Sequence, residues 1–219
     1  LKKFDLKKAI NLFRVPTDNP ELVRAQFAAL SKQIPLLYLI LASNSLAVAY
    51  TFAHQAPLWL AVYIPLALCV LCAVRMIWWW RHRNYQFSDV EALKILQLTN
   101  KLASLIAIGF TTWGLNLYSF GDPYAQGQVA FYMALTVIGC IFCLMHLRSA
   151  SLSVTLLVNI PFIIFFFIQK EQSLKAIAVN LALVSVTMII ILFIYYRDFA
   201  QLVESRKTLI AKQAETQIL

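Results

Sequence analysis

Charged residues make up only 13% of this 219-residue sequence, and no aspartate, glutamate or lysine falls near the middle of its long apolar runs. A carrier coupled to protons or sodium ordinarily holds an ionisable group at that depth, so the absence argues against ion-coupled transport. The patterns of catalysis are missing too: no glycine-rich phosphate loop, no carboxylate pair and no Ser-His-Asp set is present. Each of those chemistries needs its residues in a set constellation. No enzyme activity is expected of the chain as given, and no cofactor. Residues 197–219 lack glycine and proline altogether, the residues that most readily end a helix.

What is abundant is apolar surface. Hydrophobic residues reach 61% and the mean hydropathy is +0.71. A soluble fold of this size leaves too much surface to cover for such a composition. The expected fold is therefore an all-α integral membrane protein. Six apolar runs, at about 34–53, 57–80, 102–120, 126–147, 150–168 and 174–196, approach the ~20 residues a membrane helix needs and pair into three hairpins. Amphipathic inner helices precede the first two hairpins. Residues 1–33 form the first such region, 34–196 the six-span bundle, and 197–219 a polar extension of the last helix.

Local signals fix several helix starts. Asn19-Pro20-Glu21 reads as an N-cap, a proline at the first helical position and a first-turn acid. Leu22, Val23, Phe27 and Leu30 then share one side of a helix that leads through Pro35 into the first span. Ser88 and Glu91 have capping-box spacing. Trp78, Trp79 and Trp80 read as an interfacial aromatic belt before Arg81, His82 and Arg83.

The net charge is +9. Lys and Arg gather in 1–33, 75–101, Arg148 and 197–219, and only Lys170 and Lys175 lie elsewhere. Cytoplasmic basic loops are the rule for membrane proteins, so both termini are expected in the cytoplasm. The partner this basicity implies is a bilayer with an anionic inner leaflet, not nucleic acid. Residues 1–9 carry four lysines ahead of any apolar run and do not read as a secretory signal.

In the tail, Phe199, Leu202, Val203, Leu209 and Ile210 are the apolar positions. Leu202/Leu209 and Val203/Ile210 are seven apart, the spacing of a coiled-coil seam, with Arg206 and Gln213 interrupting it. Two readings stay open: a solvated helix end, or a parallel homodimer helix weak enough to change register. The stretch ESRKTLIAKQAETQIL at 204–219 resembles the linker that precedes the GGDEF domain of bacterial diguanylate cyclases. In that family such a helix follows a multi-span N-terminal membrane sensor of the MASE type, and the six-span pattern agrees in architecture. The resemblance implies a bacterial inner-membrane sensor that passes its signal through the last helix to an output domain handling cyclic di-GMP. It carries over no catalytic residue, because no GGDEF or EAL motif occurs in the chain. The alternative from another class is a small six-helix transporter or channel subunit.

Within the bundle, Cys69/Cys72 and Cys140/Cys143 form two C-x-x-C pairs, each on one helix face. Thiolates there would suit a soft metal, with His146 continuing the second face. Cysteine also serves as a small apolar side chain in such helices, and that reading is preferred, so no metal is expected. His54, His82 and His146 read as interfacial polar anchors. Asn44, Trp113, Asn116, Asn159 and Asn180 are expected to line a pocket at membrane depth for an apolar small molecule or lipid, since the outer loops are too short to build one. Ordinary bonds between helices are the competing role for the same amides.

Overall fold

In the computed structural model, which describes residues 11–17, 19–85 and 87–218, the chain is helical and shows no strand among those residues. Six helices are long and apolar enough to cross a membrane: α1 (Pro20–Thr51), α2 (Trp59–His82), α3 (Asp89–Tyr118), α4 (Pro123–Leu144), α5 (Arg148–Ile168) and α6 (Gln172–Ile218). The amphipathic stretch expected at 1–14 falls mostly outside the described residues.

The caps explain where the helices start. Asn19 Oδ1 accepts from the Glu21 and Leu22 amides at 3.1 and 3.2 Å, with Pro20 at N1, where its missing N–H costs nothing. Ser88 and Glu91 form a complete capping box: the Ser88 amide donates to Glu91 Oε2 at 3.0 Å, and the Glu91 amide donates to Ser88 Oγ. Asp122 caps α4 by accepting from the Ala125 amide at 2.8 Å. Helix α1 runs unbroken through Pro35 for 32 residues, about 48 Å at 1.5 Å per residue, so its first turns extend past any ~30 Å apolar layer. At that basic end, Arg24 pairs bidentately with Asp89, its Nη2 donating at 2.7 Å. At the opposite end, Gln55 and Asp122 exchange two hydrogen bonds and tie the α1–α2 turn to the start of α4.

Helices α1, α3, α4 and α5 enclose the core. Helix α2 packs mainly on α1, and α6 mainly on α5 with lighter contacts to α4 and α1. The tryptophan belt is only partly a belt. Successive residues on a helix point about 100° apart, so Trp80 is exposed while Trp79 is fully buried, 5.4 Å from the Phe27 ring.

Helix α2 opens with a π-turn, Trp59–Tyr63, and the cause lies in the sequence. Pro65 has no amide hydrogen and cannot donate backward. The Ile64 amide turns to the Trp59 carbonyl instead. In that wider register the Leu60 carbonyl should receive the amide of residue 65, which proline lacks. The Trp113 indole fills the gap: its Nε1 donates to the Leu60 oxygen at 2.9 Å from α3, and the side chain is buried.

Trp113→Phe should therefore destabilise the bundle by about 1–3 kcal/mol, the cost of an orphaned buried acceptor. In a Pro65→Ala background, where residue 65 regains its amide, the same substitution should cost much less. Thermal midpoints of the four proteins in one detergent measure the coupling, and equal losses in both backgrounds would refute this account.

Candidate functional site

Most hydroxyls inside the helices are satisfied by their own helix. Ser45 donates to Leu41, Thr99 to Ile95 and Thr155 to Ser151, at 2.6, 2.8 and 2.8 Å. Such back-bonding spends the hydroxyl's one proton and leaves it only acceptor capacity. An asparagine has two donors and an acceptor to place, so the amides are the informative side chains.

Asn159, at mid-length in α5, is 3% exposed. Its Nδ2 donates to Ser185 Oγ of α6 at 2.6 Å, and that hydroxyl donates to the Leu181 carbonyl at 2.5 Å. Because the hydroxyl has only one proton, the amide must present its N–H side to Ser185. Asn159 Oδ1 is then left buried and without a partner. The Asn159 residue lines a cavity of about 220 Å³, larger than the ~150 Å³ apolar cavity that holds benzene. Ala134 and Val137 of α4, Asn159 of α5, and Asn180, Leu181 and Ser185 of α6 line it. The site is an apolar slot with one unmet acceptor, and α6 forms one wall.

The five residues expected to share a pocket are not brought together. Asn159 and Asn180 line this cavity. Trp113 is committed to Leu60, with its ring edge-on to Tyr132 at 5.7 Å. Asn116 is exposed and bonds back to the Thr112 carbonyl at 2.7 Å. Asn44, on α1, is half-buried with Nδ2 unpartnered and does not line the cavity. Ser185, which orients Asn159, has no distinguishing sequence signal beyond its depth.

A second cluster holds α6 where it leaves the bundle at the basic end. Gln26 of α1, fully buried, donates from Nε2 to the His146 carbonyl at 2.9 Å and neighbours Tyr196. His146 Nδ1–H donates to Gln33 Oε1 at 2.9 Å, and its ring meets Phe199 edge-on at 4.6 Å. The Arg148 guanidinium lies over the Tyr196 ring at 4.8 Å, a cation–π contact. Phe199 therefore packs within its own chain, whereas Leu202, Leu209 and Ile210 are exposed and Val203 half-exposed. Gln26 could have been found: it falls in register with Leu22, Val23 and Leu30 on the apolar face.

The four cysteines are free. Cys69 Sγ lies 3.7 Å from the Ala42 carbonyl, and Cys72, Cys140 and Cys143 are buried. Among the described residues, no three His, Cys, Asp or Glu side chains converge as a metal site would need. His82 donates to the Trp78 carbonyl at 2.8 Å and stacks on that indole. No family model matches this chain, and neither does any curated protein or solved structure.

Two outcomes are expected. Asn159→Leu should change stability by no more than about 0.6 kcal/mol, an average interhelical bond in a membrane, because losing the Ser185 bond is offset by removing the orphaned oxygen. Ser185→Ala, which strands the whole amide, should cost about 1–3 kcal/mol; denaturation in mixed micelles compares them, and the reverse order would be evidence against an unpartnered Oδ1.

Burial holds the His146 imidazole below its ordinary value of 6.5, so the folded state prefers it neutral. Its stabilising contribution is complete above that value and is lost as pH falls through the depressed one. The thermal midpoint should drop between about pH 7.5 and 5.5 by more in the native chain than in His146→Gln. Parallel curves for the two would rule this out.

Proposed function

We propose that this chain is a membrane-embedded regulatory region in which an apolar or amphipathic ligand sets the position of α6, and α6 relays that position to a domain beyond the basic end. The observation that carries this reading is that one helix does both jobs. The 47 residues of α6, about 70 Å long, wall the Asn159 cavity near their start and present exposed Leu202, Leu209 and Ile210 near their end, with no break between. A ligand with a hydroxyl or amine donor suits the orphaned Asn159 oxygen, and its apolar body suits the rest of the slot. Only a ligand that binds one placement of α6 better than another can shift it.

The exposed leucines favour pairing with a second copy along the 202/209 seam, a weak parallel coiled coil. By the resemblance at 204–219, the output is a GGDEF-type domain acting on cyclic di-GMP in the cytoplasm of a bacterium, with the basic end facing inward in keeping with the positive-inside rule. The same reading places the bundle in the inner membrane as a homodimer.

Leu202→Cys and Leu209→Cys should each crosslink between copies in native membranes, and Ala134→Phe, which fills the cavity, should change the crosslinking yield. Absence of crosslinks in a folded bundle would sink the relay. Solute movement that survives deletion of residues 197–219 would instead favour a small transporter or channel.

A further inference from the structure

A groove of about 710 Å³ opens at the basic end between residues 11–17, α3 and α5. Arg14, Lys101 and Arg148 line it, one from each of those three segments, and no carboxylate lines it among the described residues. Asp89 and Asp198 pair with other cations, Arg24 and Arg197. Three cations drawn to one concavity, with no carboxylate among its described lining residues, favour an anion there.

The groove is built rather than incidental. Asn100 Nδ2 donates to the Phe13 carbonyl at 3.2 Å, and Val15 is buried in the core, which fixes the segment that carries Arg14. Arg148 opens α5, a 21-residue helix whose N-terminus has no side-chain cap, so its free amides and dipole favour negative charge. Arg148 Nε is buried and unpartnered, and so are the Ser149 and Ser151 hydroxyls in the same first turn. On α3, Asn100 Oδ1 is likewise buried without a partner.

We propose that this groove binds a phosphate-bearing anion whose alcohol portion carries a hydroxyl. The three cations receive the phosphate, and Asn100 Oδ1 receives the hydroxyl. Phe13 stands partly exposed beside Arg14, and Lys101 marks the start of the apolar part of α3. A phospholipid headgroup can seat its phosphate here with its acyl chains alongside the helices, and phosphatidylglycerol has the matching chemistry. A free glycerol phosphate has the same polar groups without the chains. The site stands independently of the relay proposed above.

The test uses the full chain in nanodiscs of phosphatidylcholine with added phosphatidylglycerol, and separately with soluble glycerol phosphate, reading native mass spectra and thermal midpoints. Phosphatidylglycerol should be retained, and Lys101→Gln should weaken it about tenfold, the loss expected for one charge-assisted bond. Arg14→Gln, outside the helices, should do the same, with folding verified by an unchanged midpoint in pure phosphatidylcholine. Arg83→Gln removes the same charge from the same end but away from the groove and should bind as the native chain does. Stabilisation by phosphatidylglycerol alone assigns the site to lipid; saturable stabilisation by glycerol phosphate, lost in Lys101→Gln, assigns it to a soluble ester. Equal binding by native and Lys101→Gln chains, or an equal loss in Arg83→Gln, overturns the proposal.

Discussion

Inside an apolar layer no water is available to satisfy a stranded carbonyl or amide, so every backbone group must find a partner in the protein. Pro65 makes that constraint acute. It costs α2 one donor, the helix widens into a π-turn, and the unmet Leu60 carbonyl is met from α3 by Trp113. The indole then sets its neighbours: Tyr132 of α4 stands edge-on to it, with the tyrosine hydroxyl 3.5 Å from Ser45 Oγ of α1. One missing N–H in α2 thus fixes the contact of four helices. It also explains why the most conspicuous aromatic side chain in the core is not free to stack on a ligand.

Helix α6 stands outside that arrangement. It is largely unburied along its apolar stretch and is held by polar contacts at two places. One is the Asn159–Ser185 bond at mid-depth, and the other is the cluster of Gln26, His146 and Arg148 around Tyr196 and Phe199. Dispersion between helices is the main cohesive force where lipid tails compete equally for apolar surface. A helix at the edge of the bundle gains less of it than one at the centre. The elements with the fewest packed contacts are those a protein can move at small cost.

Much of the fold was legible because its signals are local. The Asn19 cap, the Ser88/Glu91 box and the six apolar runs depend on residues three or four apart, or on a stretch about as long as a bilayer is thick. The unbroken α6 follows from the lack of glycine and proline after residue 174. The site was legible only in part. Asn159 and Asn180 stood out by depth, but whether an amide bonds its own helix, as Asn116 does, or a neighbour, as Asn159 does, depends on how helices are rotated against each other. Trp79 reads as part of an interfacial belt and Phe199 as part of the tail's pairing helix, yet both turn toward the bundle. Gln26 was overlooked for the opposite reason: its register placed it on the apolar face, and its polarity obscured that.

Each place that holds α6 leaves an acceptor unmet, Asn159 Oδ1 at one and Gln26 Oε1 at the other. A buried acceptor without a donor costs about 1–3 kcal/mol. The present seat of α6 therefore retains a penalty at two points, while the backbone around those points is satisfied by regular helix. A rotation or slide of α6 that supplied a donor to either oxygen would recover free energy comparable to what separates two allosteric states, typically 1–3 kcal/mol. A ligand hydroxyl at Asn159 supplies the same donor without the movement. Binding there would thus favour a seat of α6 in which that oxygen can be reached from the slot, and loss of the ligand would favour another. The two unmet oxygens lie on α5 and α1, two of the three helices against which α6 would have to move.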